Sequence, residues 1–273
     1  MIRTQPQARP ASPGRRAGPY PAMILAMVLA TGTFAAQAAP VRAQDINNAA
    51  QLRMLAQRTA KLSLQIRLGV RSADATSKLG ESVRQFDSLL GQLQKIGADD
   101  RDLERALDAV AYNWEALKTQ LSERDPDRIN QASEELTMTI LRATRTLESH
   151  APSETSKLVT LAVQENTLSQ RMAKLYFLSQ LGRQTRPEVE VTRTRFAAVF
   201  KQLIDAPGNT PRASSLLAVA KDQWFFYEQA LKAPPGKDKV YLENVATTSE
   251  RISEMMEGVT ALYTRQAAST RQP

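Results

Sequence analysis

Two short strings carry the residues best suited to chemistry. The first, "LAQRTAKL", holds Gln57, Arg58 and Lys61; the second, "LSQRMAKL", holds Gln170, Arg171 and Lys174. On a helix Arg53, Gln57 and Lys61 stand at i, i+4 and i+8 and form one polar row, with Arg58 beside it. Leu52, Leu55, Thr59 and Leu62 form the apolar stripe next to that row. Such a ridge of N–H donors allows three readings. It can lie in water, or it can pair with acids of a neighbouring helix and fix the packing. Two facing ridges can instead frame a small pocket for a planar oxyanion, which the guanidinium fork binds bidentately.

Composition removes most other chemistry. The 273 residues include no cysteine and one histidine, His150. Disulfides, thiolate catalysis and multi-histidine metal centres are therefore out of reach, and no cofactor is expected. The carboxylate pairs Asp99/Asp100 and Glu134/Glu135 read as helix-start or surface groups, and their spacing suggests neither a glycosidase pair nor a di-metal site. The reading is of a binding protein and not an enzyme.

The formal net charge is +8. Residues 1–43 contain Arg3, Arg9, Arg15, Arg16 and Arg42 and no acid, and without these five arginines the charge is +3. The rest mixes signs, as in "DDRDLERALD", which argues against nucleic acid as a partner. The arginine-bearing start, the apolar run "MILAMVLATGTFAAQAA" from Met23 and the small residues up to Ala43 read as a signal peptide over 1–43, cleaved after Ala38 or Ala43. Retention as an anchor is the other reading. The mature chain is expected in a periplasm.

Beyond Ala43 the periodicity predicts eight helices, about 45–71, 77–96, 100–121, 126–148, 153–181, 187–204, 211–231 and 239–265. "SADATS" is read as the first break, and "KAPPGKDK" as the strongest. The second four helices repeat the first. A shift of 113 lays Leu55–Leu62 on Leu168–Leu175 and Leu68-Gly69 on Leu181-Gly182. A shift of 110 lays Phe86 on Phe196, Leu93 on Leu203 and Trp114 on Trp224, and "NQASEEL" at Asn130 resembles "NVATTSERI" at Asn244 with a gap of a few residues. The expected fold is all-α, two tandem antiparallel four-helix bundles over 44–150 and 151–273. Trp114, Trp224 and Tyr112 are read as core, Met54, Met138, Met172, Met255 and Met256 as core filling, "WFFYE" as core with a contact face, and His150 as exposed at the junction.

The stretch "INNAAQLRMLAQRTAKL" resembles the opening helix of the PilJ-type sensor domain, the N-terminal domain of type IV pilus methyl-accepting transducers, and a similar box occurs in nitrate/nitrite sensor kinase ectodomains. Asn48, Ala49, Arg53, Met54, Leu55, Gln57, Arg58, Ala60 and Lys61 carry the likeness in the first copy. Ala162, Leu168, Ser169, Gln170, Arg171, Met172, Ala173 and Lys174 carry it in the second. The resemblance implies a periplasmic sensory bundle whose first helices meet about a two-fold, with the arginine at Arg53 holding the anion. It names nitrate or nitrite as the leading ligand. Arg53 is the first candidate, Arg58 and Arg171 are the next donors, and Gln57 and Gln170 are supporting hydrogen-bond groups. Asn166 stands where Arg53 would be repeated, with Glu165 beside it. The relatives continue into a second membrane helix and signalling domains; the expectation here is a soluble binding protein that hands its state to a membrane signalling or respiratory partner. A dimer of the chain is compatible with this reading. The rival reading is a module that binds a pilus, receptor or respiratory protein with no small ligand.

Overall fold

The computed structural model describes residues 43–150, 154–233, 236 and 238–269, all within one compact unit, Ala38–Pro273. The leader expected over 1–43 lies outside the described residues except for Ala43, and so does the side chain of His150. The described residues are helical, with no strand among them. The order is α1 (Ala43–Arg67), α2 (Ser72–Gly97), α3 (Arg101–Glu123), α4 (Pro126–His150), α5 (Glu154–Gln180), α6 (Arg186–Ile204), α7 (Pro211–Lys232) and α8 (Lys239–Ser269). Among the described residues no helix is long and apolar enough to cross a membrane.

The centre of the molecule is the pair α1 and α5. Helix α1 packs on α5, α2 and α4, and α5 packs on α1, α8 and α6. Both are therefore enclosed on all sides. From Asp45 to Gln65 only Gln51, Arg53 and Arg58 reach water even partly, and from Ala162 to Leu178 only Gln164 and Arg171 do. The two exceptions Gln51 and Arg58 fall on Gln164 and Arg171 in the repeat register. Helices α1 and α5 run parallel, because the turns that end them (Leu68-Gly69 and Gln180 with Gly182) line one common cavity.

Both turns are built alike. After α1, Gly69 N–H bonds Ile66 O and Val70 N–H bonds Gln65 O; after α5, Gly182 N–H bonds Ser179 O and Arg183 N–H bonds Leu178 O. This is the Schellman pattern, which needs a left-handed residue at the position after the helix. Gly69 (φ 71°) and Gly182 (φ 83°) supply it. The turn at Gly69 is the real first break. The expected break "SADATS" is instead the first turns of α2: Asp74 sits where an acid favours a helix start, and Thr76 Oγ1 donates to Ser72 O at 2.8 Å.

Outer helices pack on one another through aromatics. Phe86 of α2 stacks on Trp114 of α3 at 3.8 Å, and Phe196 of α6 stacks on Trp224 of α7 at 4.2 Å. Trp114 is fully buried and donates from Nε1 to Asp87 at 2.6 Å. Phe225 and Phe226 differ from the core expectation: they are 59% and 58% exposed, while Tyr227 beside them is buried; Tyr112 (78%) and Met138 (52%) differ in the same way, since each falls on the outward side of its helix. The two apolar cores follow the two sets of helices, yet each borrows from the other. Leu64 and Val70 join the core of α5–α8, and Val163 joins that of α1–α4.

Candidate functional site

The polar row of the repeated box points inward. Gln57, Lys61, Gln170 and Lys174 are all fully buried. A buried ammonium needs a partner, and each lysine finds one in the other set of helices. Lys61 Nζ donates to Glu250 Oε1 of α8 at 2.6 Å. Lys174 Nζ donates to Glu134 Oε1 of α4 at 2.7 Å and to Ser133 Oγ at 2.9 Å. The arginines follow. Arg58 grips Glu250 through Nε (3.2 Å) and Nη2 (2.5 Å). Arg171 Nε reaches both oxygens of Glu134 (2.9 and 3.2 Å), and its Nη1 donates to Thr192 Oγ1 at 2.5 Å.

The glutamines stay within their own set. Gln57 Nε2 donates to Thr137 Oγ1 at 2.8 Å, and Gln170 Nε2 donates to Ser249 O at 2.9 Å. Each leaves its Oε1 buried without a partner. The two halves thus carry the same constellation with partners exchanged. Ser133-Glu134 and Ser249-Glu250 are the equivalent pairs, so the gap between "NQASEEL" and "NVATTSERI" falls ahead of the Ser-Glu. That dipeptide was the signal in the sequence for these acids. Glu134, read from the sequence as a helix-start or surface group, is a 34% exposed ion-pair partner of two cations.

Electrostatics follow from this geometry. Burial alone would raise the carboxyl of Glu134, but the charges of Lys174 and Arg171 and their hydrogen bonds bring it down to about 2. Glu250 is treated the same way by Lys61 and Arg58 and lies lower still. Burial lowers Lys174 to about 8 against the pull of Glu134, because its ammonium is wholly dry while the carboxylate still touches water. Lys61 is lowered in the same direction for the same reason. Burial also works against the charge on Arg58, but Glu250 outweighs it and raises the group.

Arg53 is arranged differently. Its Nε is buried with no hydrogen-bond partner. It lines a cavity of about 260 Å³ between α1, α4, α5 and α6, together with Thr137, Gln164, Thr167, Arg171 and Arg195. Burial lowers its proton affinity, the like charge of Arg195 lowers it further, and Glu148 partly restores it against Arg145. Arg195 lies in the sixth helix, outside the repeated box, and no motif pointed to it. Of the five residues singled out by sequence, Arg53 and Arg171 meet in this cavity. Gln57, Arg58 and Gln170 do not line it. Arg58 is held by Glu250 at the other seam, and Gln57 and Gln170 tie helices together. Asn166, the repeat equivalent of Arg53, is 3% exposed with its Oδ1 unpartnered. Among the described residues no group of acids or histidine is placed to hold a metal ion.

Comparisons with curated proteins and with solved structures returned no match. Comparison with protein-family models gave one, over α1 to α3 and the first turns of α4, a stretch that includes Arg53, Gln57, Arg58, Lys61 and Glu134. Residues 41–136 match the PilJ model, described as the N-terminal domain of type IV pili methyl-accepting chemotaxis transducers, and the PilJ-type resemblance of this part of the chain is thereby established.

Proposed function

We propose that the chain is a periplasmic sensory protein that binds one class of ligand, a small planar oxyanion with nitrate or nitrite foremost, in the cavity of Arg53, Arg171 and Arg195. The PilJ match supports a sensory domain of the chemotaxis-transducer type. One observation carries the ligand reading: a buried guanidinium Nε without a partner, beside a second guanidinium of like charge, at a cavity with ample room for a small anion. An unpaired buried donor is costly, and an oxyanion satisfies it while relieving the repulsion from Arg195.

The mechanism is binding coupled to a shift of helices, with no chemistry on the ligand. An anion in the cavity reaches Arg171 and competes with Glu134 for it. Glu134 also holds Lys174, so the ligand acts directly on one of the two ties between the halves. A membrane signalling partner would read the resulting change in α4 against α5.

The test is a thermal-shift series with nitrate, nitrite, sulfate, phosphate and chloride at matched ionic strength. A hundredfold excess over Kd stabilises the native state by about 2.7 kcal/mol. We expect a selective rise with one anion, lost in Arg53→Ala with the fold retained. The exposed pair Phe225 and Phe226 favours a second reading, a module that docks a protein partner. Indifference to every anion, with a stable complex lost on Phe225→Ser/Phe226→Ser, is its signature.

A further inference from the structure

The molecule has two equivalent seams, and their charges differ: the second brings more acids to its cations than the first. The first, between α4, α5 and α6, holds Arg171, Glu134 and Thr192. The second, between α8, α1 and α2, holds their equivalents Arg58, Glu250 and Ser82. Thr192 Oγ1 donates to Glu188 O at 2.6 Å, and Ser82 Oγ donates to Lys78 O at 2.7 Å, so the two seams match down to their hydroxyls.

The rims do not match. At the first seam the cavity is edged by Met138, Leu141 and Val191, with Met138 52% and Val191 69% exposed. The same register puts Glu254, Glu257 and Glu81 at the second. Ser253 Oγ fixes Glu257 with a 3.2 Å hydrogen bond to Oε1, and the charges of Glu257 and Glu81 act on Arg58. The two arginines that make the first seam positive are missing from the second as well: Asn166 replaces Arg53, and Gln85 replaces Arg195.

From these paired differences we infer that the chain takes one anion and not two, and that the rim residues Met138, Leu141 and Val191, by carrying no charge, decide which seam takes it. This rests on the oxyanion reading of the Arg53 cavity. At the second seam Glu250, Glu257 and Glu81 act on the equivalent arginine, while Lys61 and Lys78 share Glu250 with it. An approaching anion meets the like charge of Glu257 and Glu81 in a partly dry setting, where Coulomb energies are several times those in water. At the first seam the rim is apolar, and the field of Arg53 and Arg195 is offset only by Glu134, already paired with Arg171 and Lys174, and by Glu148. Specificity by an introduced repulsion is a general device, and here it separates two sites within one chain.

The test is isothermal titration calorimetry of the full chain with sodium nitrate at constant ionic strength. Four proteins are compared: the parent, Met138→Glu, Met138→Gln and Arg53→Ala. Met138 is replaced because it is the exposed rim position whose twin is Glu254, and circular dichroism checks each fold. One nitrate per chain, bound at least tenfold more weakly by Met138→Glu than by Met138→Gln, supports the inference. Two nitrates per chain, or equal affinity of the Glu and Gln variants, overturns it and leaves the oxyanion reading standing if Arg53→Ala abolishes binding. No nitrate heat from the parent overturns both.

Discussion

At the scale of single residues, the decisive fact is that four charged or amide side chains of the repeated box lie in the interior. Removing one partner of a buried ion pair leaves an uncompensated charge and typically costs about 3–5 kcal/mol. Glu250 serves Lys61 and Arg58 and has a side chain only 9% exposed. Glu250→Gln is therefore expected to lose stability on that order in chemical denaturation. Glu134→Gln is expected to lose less, since its side chain is 34% exposed and water can reach Lys174 when the charge goes. Equal losses would mean that the two ties are energetically interchangeable. The same acids set the response to pH. Both bind protons less tightly when folded than the ordinary carboxyl value of 4.5, Glu134 down to about 2. Their stabilisation is complete above about pH 4.5 and disappears as pH falls through that value toward 2 and below. The midpoint of thermal unfolding should fall steeply over that window, and the Gln variants should flatten the slope.

At the scale of elements, the sequence was informative wherever a helix has one apolar face. Helices α3, α4 and α7 were legible to within two residues at each end, from Asp100, Pro126 and Pro211 at their starts. Asp100 accepts from the N–H groups of Asp102 and Leu103, and Thr210 accepts from that of Ala213, as N-caps do. The start of α2 was missed because Ser, Asp and Thr serve both breaks and helix starts. For α1 and α5 periodicity left three readings open, and the pairing with acids of neighbouring helices is the one that Arg58, Lys61, Arg171 and Lys174 show. A polar row beside an apolar stripe also fits a half-wet helix, whereas these two are enclosed, and only the acids supplied by distant helices make that enclosure tolerable. The candidate site was legible in part for the same reason. Arg53 and Arg171 belong to a motif, but Arg195 and the paired acids enter through tertiary packing. The glycine turns allow a separate check. Added Cβ atoms at Gly69 and Gly182 would meet nothing within 4 Å, so Gly→Ala there tests the left-handed backbone alone. Each is expected to cost about 1–2 kcal/mol, read from the denaturation midpoint.

At the scale of the whole molecule, the two sets of helices are tied by reciprocal bonds, lysine of one to glutamate of the other. Each set contains both halves of that tie, Lys61 with Glu134 and Lys174 with Glu250. A fragment of residues 44–150 alone should therefore pair with a second copy of itself, Lys61 of each meeting Glu134 of the other in an isologous contact. Sedimentation equilibrium would show a dimer of the fragment. A folded monomer would mean that a buried Lys61 tolerates the loss of its partner and that the reciprocal ties are dispensable.

Asn166 gives this arrangement a further meaning. In a symmetric pair of identical subunits, any change at one side of the seam is made at the other side as well, since one codon specifies both. Here the two positions are written separately, as Arg53 and Asn166. One side can keep the cation while the other gives it up, so a receptor-like core of this kind can be tuned by halves. Its response can be inherently directional, with one face of α1–α5 touched by the ligand and the opposite face left as a fixed reference.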